Sequence, residues 1–252
     1  MAILDINDLS ISFGGLKAVD GFRLTIGENE LVGLIGPNGA GKTTVFNLLT
    51  GVYKPTGGTI TLSGTDVSKL KPSDIVLLGS SRTFQNIRLF KNMSVLDNIR
   101  VAYHHRMRYS LLEGVFKTKR FRDEERESHE VAHALLDVFN MDAYAHDLAR
   151  NLPYGKQRKL EIARALATGP KLLLLDEPAA GMNPQETEEL METIRLIKDT
   201  FKVSILLIEH DMRLVMGICE RIVVLDYGKI IATGIPDEIK KHPDVIRAYL
   251  GG

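Results

Sequence analysis

Cysteine is almost missing from this chain: Cys219 is the only one. A lone cysteine excludes an intramolecular disulfide and fits a reducing compartment. It sits in an apolar helical pattern, so it reads as a small core residue rather than a nucleophile. Net charge is missing as well, with 32 Lys and Arg against 32 Asp and Glu. No global field is therefore available to gather nucleic acid or an acidic surface. No uncharged apolar run approaches the roughly 18 residues of a membrane-spanning helix. The stretch Met1-Ala2-Ile3-Leu4-Asp5 lacks a basic segment ahead of an apolar core, so no secretory signal is expected. These absences together lead to the expectation of a cytoplasmic protein that meets a membrane only through a partner. With 44% hydrophobic residues in 252, enough remains for the core of one large domain or two small ones.

The most informative stretch is Gly36-Pro37-Asn38-Gly39-Ala40-Gly41-Lys42-Thr43-Thr44. It follows the apolar run Leu31–Ile35 and precedes the helical pattern Val45–Leu49. Strand, glycine-rich turn and helix form the context that a G-x-x-x-x-G-K-[ST] loop requires. Its glycines allow several backbone N–H groups to converge on phosphate oxygens, and the helix points its positive end at the same anion. Lys42 can reach the outer phosphates, and the Thr43 hydroxyl can ligate Mg²⁺. A nucleoside-triphosphate site follows, but not what the phosphate energy drives.

Around this loop the chain reads in order. Residues 3–26 are strands, with Leu4, Ile6, Leu9, Ile11 and Phe13 alternating with polar residues and Gly14-Gly15 turning the chain. Phe13 is either core or an aromatic shelf for a base. Lys54–Gly58 and Ser63–Asp66 read as turns around a strand at 59–62. Ser81–Gln85 ends a strand at a loop, and Ser94-Val95-Leu96-Asp97 has the form of a capping box. From Tyr103 to about Met141 the character becomes helical. Residues 116–122 are basic and 123–127 reverse the sign, followed by a helix with Val131, Leu135 and Val138 on one stripe. The basic patch reads first as solvated surface and second as a headgroup or partner contact. His129-Glu130-Val131-Ala132-His133 matches a zinc pattern, but its histidines should face water opposite that stripe.

Residues 155–167 read as a helix. Leu172–Leu175 and Val203–Ile208 read as strands buried on both faces, as in a parallel sheet. They end at Asp176-Glu177 and Glu209-His210. Pro184 suits the first turn of a helix carrying Leu190, Ile194, Ile197 and Phe201. Residues 222–233 form a hairpin near Tyr227-Gly228, and the tail from 236 forms short helices. In a parallel sheet the strand ends gather beside the phosphate loop. Asp176 can then hold Mg²⁺ through its water shell. Glu177 can orient or deprotonate an attacking water. His210 can contact the γ-phosphate or position Glu177, and Gln85 can sense Mg²⁺ and the water.

With these residues assembled, the chain resembles the ATP-binding subunits of ABC transporters over essentially its whole length. Residues 36–44 match Walker A, Leu172–Asp176 with Glu177 resemble Walker B and the catalytic base, Gln85 the Q-loop, and His210 the switch histidine. Phe13 takes the place of the A-loop aromatic that stacks on adenine. Arg82–Phe90, the insertion after residue 102 and His242–Leu250 look like the branched-chain amino acid importers, and within those the longer ATPase subunit.

The resemblance implies an α/β fold. A P-loop NTPase (RecA-like) core at about 1–90 and 160–252 would carry an N-terminal antiparallel β subdomain. An inserted α-helical subdomain would span about 91–159, and a helical tail about 236–252. ATP and Mg²⁺ would be the ligands, with Thr43, Gln85 and Asp176 toward the metal. A second ATP-binding subunit would close head-to-tail, so that Leu152, Gly155 and Lys156 meet the partner's nucleotide. Permease subunits would dock near Gln85–Asn98 at the cytoplasmic face of the inner membrane and connect indirectly to an external solute-binding protein.

Two departures stand out. The signature L-S-G-G-Q is Leu152-Pro153-Tyr154-Gly155-Lys156, without the serine hydroxyl, and Pro153 lacks an N–H. The D-loop aspartate is Asn183. They leave two rivals in view: a soluble ABC-type ATPase acting on nucleic acid or ribosomes, and a non-hydrolysing regulatory subunit.

Overall fold

The computed structural model describes residues 2–250. The period-two pattern at the start becomes a long hairpin, β1 (Ala2–Phe13) and β2 (Leu16–Gly27), turned by Gly14 and Gly15. Leu4, Ile6, Leu9 and Ile11 are buried on one face, as alternation requires. β3 (Leu31–Ile35), α1 (Lys42–Leu49) and β4 (Gly57–Leu62) follow. The expected turn at Ser63–Asp66 is shorter than read. Ser63 and Gly64 turn the chain with positive φ, and Thr65–Asp66 returns as β5 beside β4. Next come α2 (Pro72–Leu77) and β6 (Ser80–Arg82).

Two compact units make up the chain. One holds the residues up to Gln85 and those from Lys171 onward, and the other is Asn86–Pro170. The second unit is helical: α3 (Val95–Tyr103), α4 (Leu111–Val115), α5 (Lys119–Val138) and α6 (Tyr154–Leu166). A boundary near 159 would have cut α6, which instead packs on α3 and α5 within this unit. At Ser94 only half of the expected capping box forms. The Ser94 hydroxyl accepts from Asp97 N–H, while the Asp97 carboxylate takes the Ser94 hydroxyl rather than its backbone N–H. Aspartate is one methylene shorter than the glutamate of a full box.

The buried stripe of α5 is Ser128, Ala132, Leu135 and Leu136, rotated from the expected one; Val131 and Val138 are only half-buried. His129 is exposed, and the His133 ring is held at Asp142 Oδ1, 2.6 Å away.

The first unit resumes with β7 (Leu172–Asp176), α7 (Pro184–Phe201), β8 (Ser204–Ile208), α8 (Met212–Ile218), β9 (Arg221–Asp226), β10 (Lys229–Gly234), α9 (Pro236–Ile239) and α10 (Pro243–Leu250). Its larger sheet has the order β10-β9-β3-β8-β7-β6, parallel except for β10. A second, antiparallel sheet runs β2-β1-β4-β5. Every residue of β3, β7 and β8 is buried, as continuous apolar runs in a doubly covered sheet demand. Pro184 opens α7, with Asn183 and Glu186 forming a complete capping box. Phe201 departs from its expected core place and is 41% exposed at the helix end. Cys219 is buried against the strand at Gly33, and burial pushes its thiol pKa up, away from nucleophilic use.

Nothing in the periodicity of α6 announced its buried ion pair. Arg158 and Glu161 are both fully buried and meet at 3.0 Å, and the other Glu161 oxygen accepts the Arg88 N–H. Removing one partner strands a charge without solvent. Glu161→Ala is therefore expected to lower unfolding stability by about 3–5 kcal/mol, measured as a shift of the urea midpoint.

Candidate active site

The phosphate loop is wedged between two strands, which explains two of its glycines. At Gly36 φ is +151°, and a Cβ would lie 1.9 Å from the Leu225 carbonyl oxygen of β9. At Gly41 φ is +107°, and a Cβ would lie 2.5 Å from the Ala18 carbonyl oxygen of β2. Only glycine can occupy either position. The loop is stitched further by Ala40 N–H to Pro37 O and by Gly228 N–H to Ala40 O, at 3.2 and 2.9 Å. α1 begins at Lys42, so its first N–H groups sit at the end of the loop. The Lys42 ammonium donates to the carbonyls of Gly36 and Pro37 at 2.7 and 2.9 Å. Burial pushes its pKa down, opposed by the charges of Glu177 and Asp176.

At the carboxyl ends of β7 and β8 a second cluster forms. Glu177 has φ of +48°, and its N–H donates to Ile208 O at 2.9 Å. This left-handed turn, uncommon outside glycine, places its carboxylate between two side chains. Gln85 Nε2 donates to one oxygen at 2.7 Å, and His210 Nε2 lies 3.1 Å from the other. Asp176 faces a different partner: its Oδ2 meets Arg82 Nη2 at 2.6 Å, both side chains nearly enclosed. Arg82 also donates to Asn47 on α1 at 2.8 Å and lies against the rings of Phe46 and Phe84. The buried Glu209 carboxylate accepts the N–H of Ala179 at 2.7 Å and of His210 at 2.8 Å. It thereby ties the turn after β7 to the turn after β8.

Asn38, Gly39, Ala40, Gly41, Lys42, Thr43, Thr44, Gln85, Glu177 and His210 line one cleft of about 620 Å³. Gly36 is buried behind the loop. Asp176 is engaged with Arg82 and is not among the lining residues. Phe13 is also outside the lining; it is 44% exposed and meets Tyr53 edge-on at 5.2 Å. Leu152, Gly155 and Lys156 belong to the second unit. There Leu152 is buried, its carbonyl accepts from Gln157, Gly155 is buried in the first turn of α6, and Lys156 Nζ lies 4.6 Å from the centre of the Tyr144 ring. Pro153 is the residue that starts α6, with no side-chain cap.

Several participants were missed in the sequence. Leu16, Lys17 and Ala18 at the start of β2, and Tyr227-Gly228 between β9 and β10, line the same cleft. Asp20 N–H donates to Gly228 O, so β2 is tied to the turn between β9 and β10. They lie about 200 residues apart in sequence, and no local pattern pairs one with the other. Arg82 and Glu209 were missed too. For Glu209 the available signal was a charge directly after an apolar strand; Arg82 ends the polar strand Ser80–Arg82, which carries no such signal.

Residues 19–180 match the family described as ABC transporter, and residues 229–252 match the one described as branched-chain amino acid ATP-binding cassette transporter. The chain is 50% identical over 249 residues to the high-affinity branched-chain amino acid transport ATP-binding protein BraF of Pseudomonas aeruginosa, covering 99% of this chain and 98% of that one. It is equally similar, with the same coverage, to LivG of Escherichia coli, which carries the same description. Among solved structures it resembles the ADP conformation of an ATP-binding cassette of an ABC transporter, with a TM-score of 0.85, 28% identity and full coverage of both chains.

Glu209 yields a test of the site's electrostatics. Burial raises its carboxyl pKa above the usual 4.5, more than the N–H groups of Ala179, His210 and Asp211 lower it. A carboxyl raised by folding binds its proton more tightly in the folded state, so ionising it costs stability. That cost sets in as pH rises from the unfolded value through the folded one. Glu209→Gln cannot ionise, so its melting temperature relative to wild type is expected to increase between pH 4 and pH 7, as followed by circular dichroism.

Proposed function

The chain belongs to the ABC transporter ATP-binding family, and from that premise we propose that it is the ATP-hydrolysing subunit of a membrane importer for branched-chain amino acids. One observation carries the hydrolytic reading: the Glu177 carboxylate is held between Gln85 and His210 in the cleft that the phosphate loop lines. The solute class rests on the similarity to BraF and LivG. Those relatives lend nothing to a soluble cassette acting on nucleic acid or ribosomes. The intact Glu177 cluster favours hydrolysis over a purely regulatory subunit.

The loop fits a triphosphate. Gly39 and Gly41 line the cleft without side chains, and the first N–H groups of α1, which begins at Lys42, lie at the end of the loop. Lys42 now satisfies carbonyls of its own loop, and phosphate oxygens would exchange with them. Thr44 follows Thr43 along the cleft wall. Thr43, Gln85 and, through water, Asp176 would hold Mg²⁺, which when bound neutralises charge on the phosphates. For Asp176 the free oxygen is Oδ1, since Arg82 occupies Oδ2. Phe13 would present its half-exposed ring to adenine.

Glu177 accepts the proton of the attacking water as the oxygen adds in line to the γ-phosphorus and the bond to ADP breaks. His210 and Gln85 hold that carboxylate in place. The products are ADP and phosphate.

In the working assembly two cassettes close head-to-tail. This chain presents Leu152, Gly155 and Lys156 to the nucleotide of its partner. Pro153 and Tyr154 supply no serine hydroxyl, and a heterologous partner with its own signature would complete this chain's nucleotide site. Residues 1–252 act as one ATPase domain. Permease subunits receive the motion near Gln85–Asn98, and through them an external solute-binding protein is linked. Among the described residues no helix is long and apolar enough to cross a membrane, and the proposed location is peripheral, on the cytoplasmic face of the inner membrane.

Glu177→Gln keeps the size and hydrogen-bonding reach of the side chain but cannot take the proton. Hydrolysis is expected to fall by about 10²-fold or more, while ATP affinity by filter binding stays near wild type. Turnover as fast as wild type would show that the base is another group.

A further inference from the structure

We propose that α4 and the cations around it bind the surface of a bilayer containing anionic lipid. α4 is capped by Ser110 and Glu113 in a complete box. At roughly 100° per residue, Leu111, Leu112, Val115 and Phe116 fall within one arc of about 140°. All four point to solvent, with exposures of 90%, 69%, 75% and 76%. The inward side of the helix carries Gly114 instead, set against the rings of Tyr109 and Phe121. Those two rings already meet edge-to-face at 4.9 Å. The local core is thus complete without the apolar face, and the helix is turned opposite to what burial within the unit would favour. Four contiguous large apolar side chains on a surface mark an interaction site.

Charge identifies the occupant. Around α4 in sequence stand Arg108, Lys117, Lys119, Arg120 and Arg122 against the single acid Glu113, in a chain of zero net charge, while Arg106 is turned onto the Tyr103 ring. The acids at the start of α5 are already committed. Glu124 accepts the N–H groups of Arg108 and Tyr109 and pairs with Arg120 at 3.0 Å. Glu125 takes Arg100 at 2.6 Å and the Tyr109 hydroxyl at 2.7 Å. Asp123 takes Arg126 at 3.1 Å. Arg122 donates to the Lys117 carbonyl and so lies beside the end of α4. An apolar tip within a basic collar matches the boundary between acyl chains and anionic headgroups: the tip enters the apolar layer while the cations meet phosphates. A protein partner would need an acidic rim around an apolar pocket. This surface is independent of the nucleotide chemistry.

The test is flotation of the full-length protein with vesicles of phosphatidylcholine alone or with about one-third phosphatidylglycerol. Wild type is expected to float with the anionic vesicles, to bind the neutral ones on the order of tenfold less, and to be released by high salt. Leu112→Ser with Phe116→Ser, and separately Lys117→Glu with Lys119→Glu, should each lower binding on the order of tenfold or more. All four side chains are exposed, so melting temperature and basal ATP hydrolysis should match wild type and report an intact fold. The proposal is overturned if wild type ignores anionic vesicles, or if either variant binds them as wild type does. It is also overturned if the variants float normally but lose detergent-solubilised permease, which would make the face a protein contact.

Discussion

The buried pair of Arg82 and Asp176 is the contact on which the first unit depends. It spans 2.6 Å with both side chains nearly sealed from water. Arg82 ends β6, Asp176 ends β7, and the same guanidinium reaches Asn47 on the helix that follows the phosphate loop. Stacking against Phe46 and Phe84 keeps its planar head in place. A pair this enclosed gains little net stability over apolar side chains, but losing one partner is costly. Its value is positional: it fixes the carboxyl edge of the sheet against the loop helix.

From that edge the remaining site is assembled by backbone. Glu209 spends its carboxylate on the N–H groups of two turns, so separating the segments carrying Glu177 and His210 would leave a buried carboxylate without its donors. Glu177 is held at positive φ by its N–H bond to Ile208. Strain of this kind persists where surroundings over-determine it. The turn at Gly228 closes over Ala40 and so joins the hairpin edge of the sheet to the loop.

The second unit follows a different plan. Its interior accommodates a full ion pair, Arg158–Glu161, on the buried side of the helix that carries the altered signature. Meanwhile α4 leaves its apolar side chains outside. Charges inside and hydrophobes outside are each unfavourable for an isolated unit. Their presence is consistent with a unit shaped for contacts with other molecules.

Patterns of one or two residues' reach were legible from the sequence alone. The phosphate loop, the buried runs of β7 and β8, the first hairpin and the opening of α7 by Pro184 all follow from local propensity and period, which the chain carries at each position. So does the grouping of Gln85, Glu177 and His210, since parallel strands bring their carboxyl ends together. What periodicity could not supply was pairing at long range. That Asp176 turns to Arg82, that Glu209 latches two turns, that Ala18 and Gly228 wall the cleft, and that α5 rotates its stripe toward Ser128 depend on which surfaces meet. The direction of α4 is of the same kind. Its apolar residues are plain in the sequence, but only the tertiary structure sets Gly114 against the Tyr109–Phe121 contact and leaves them facing away from the core.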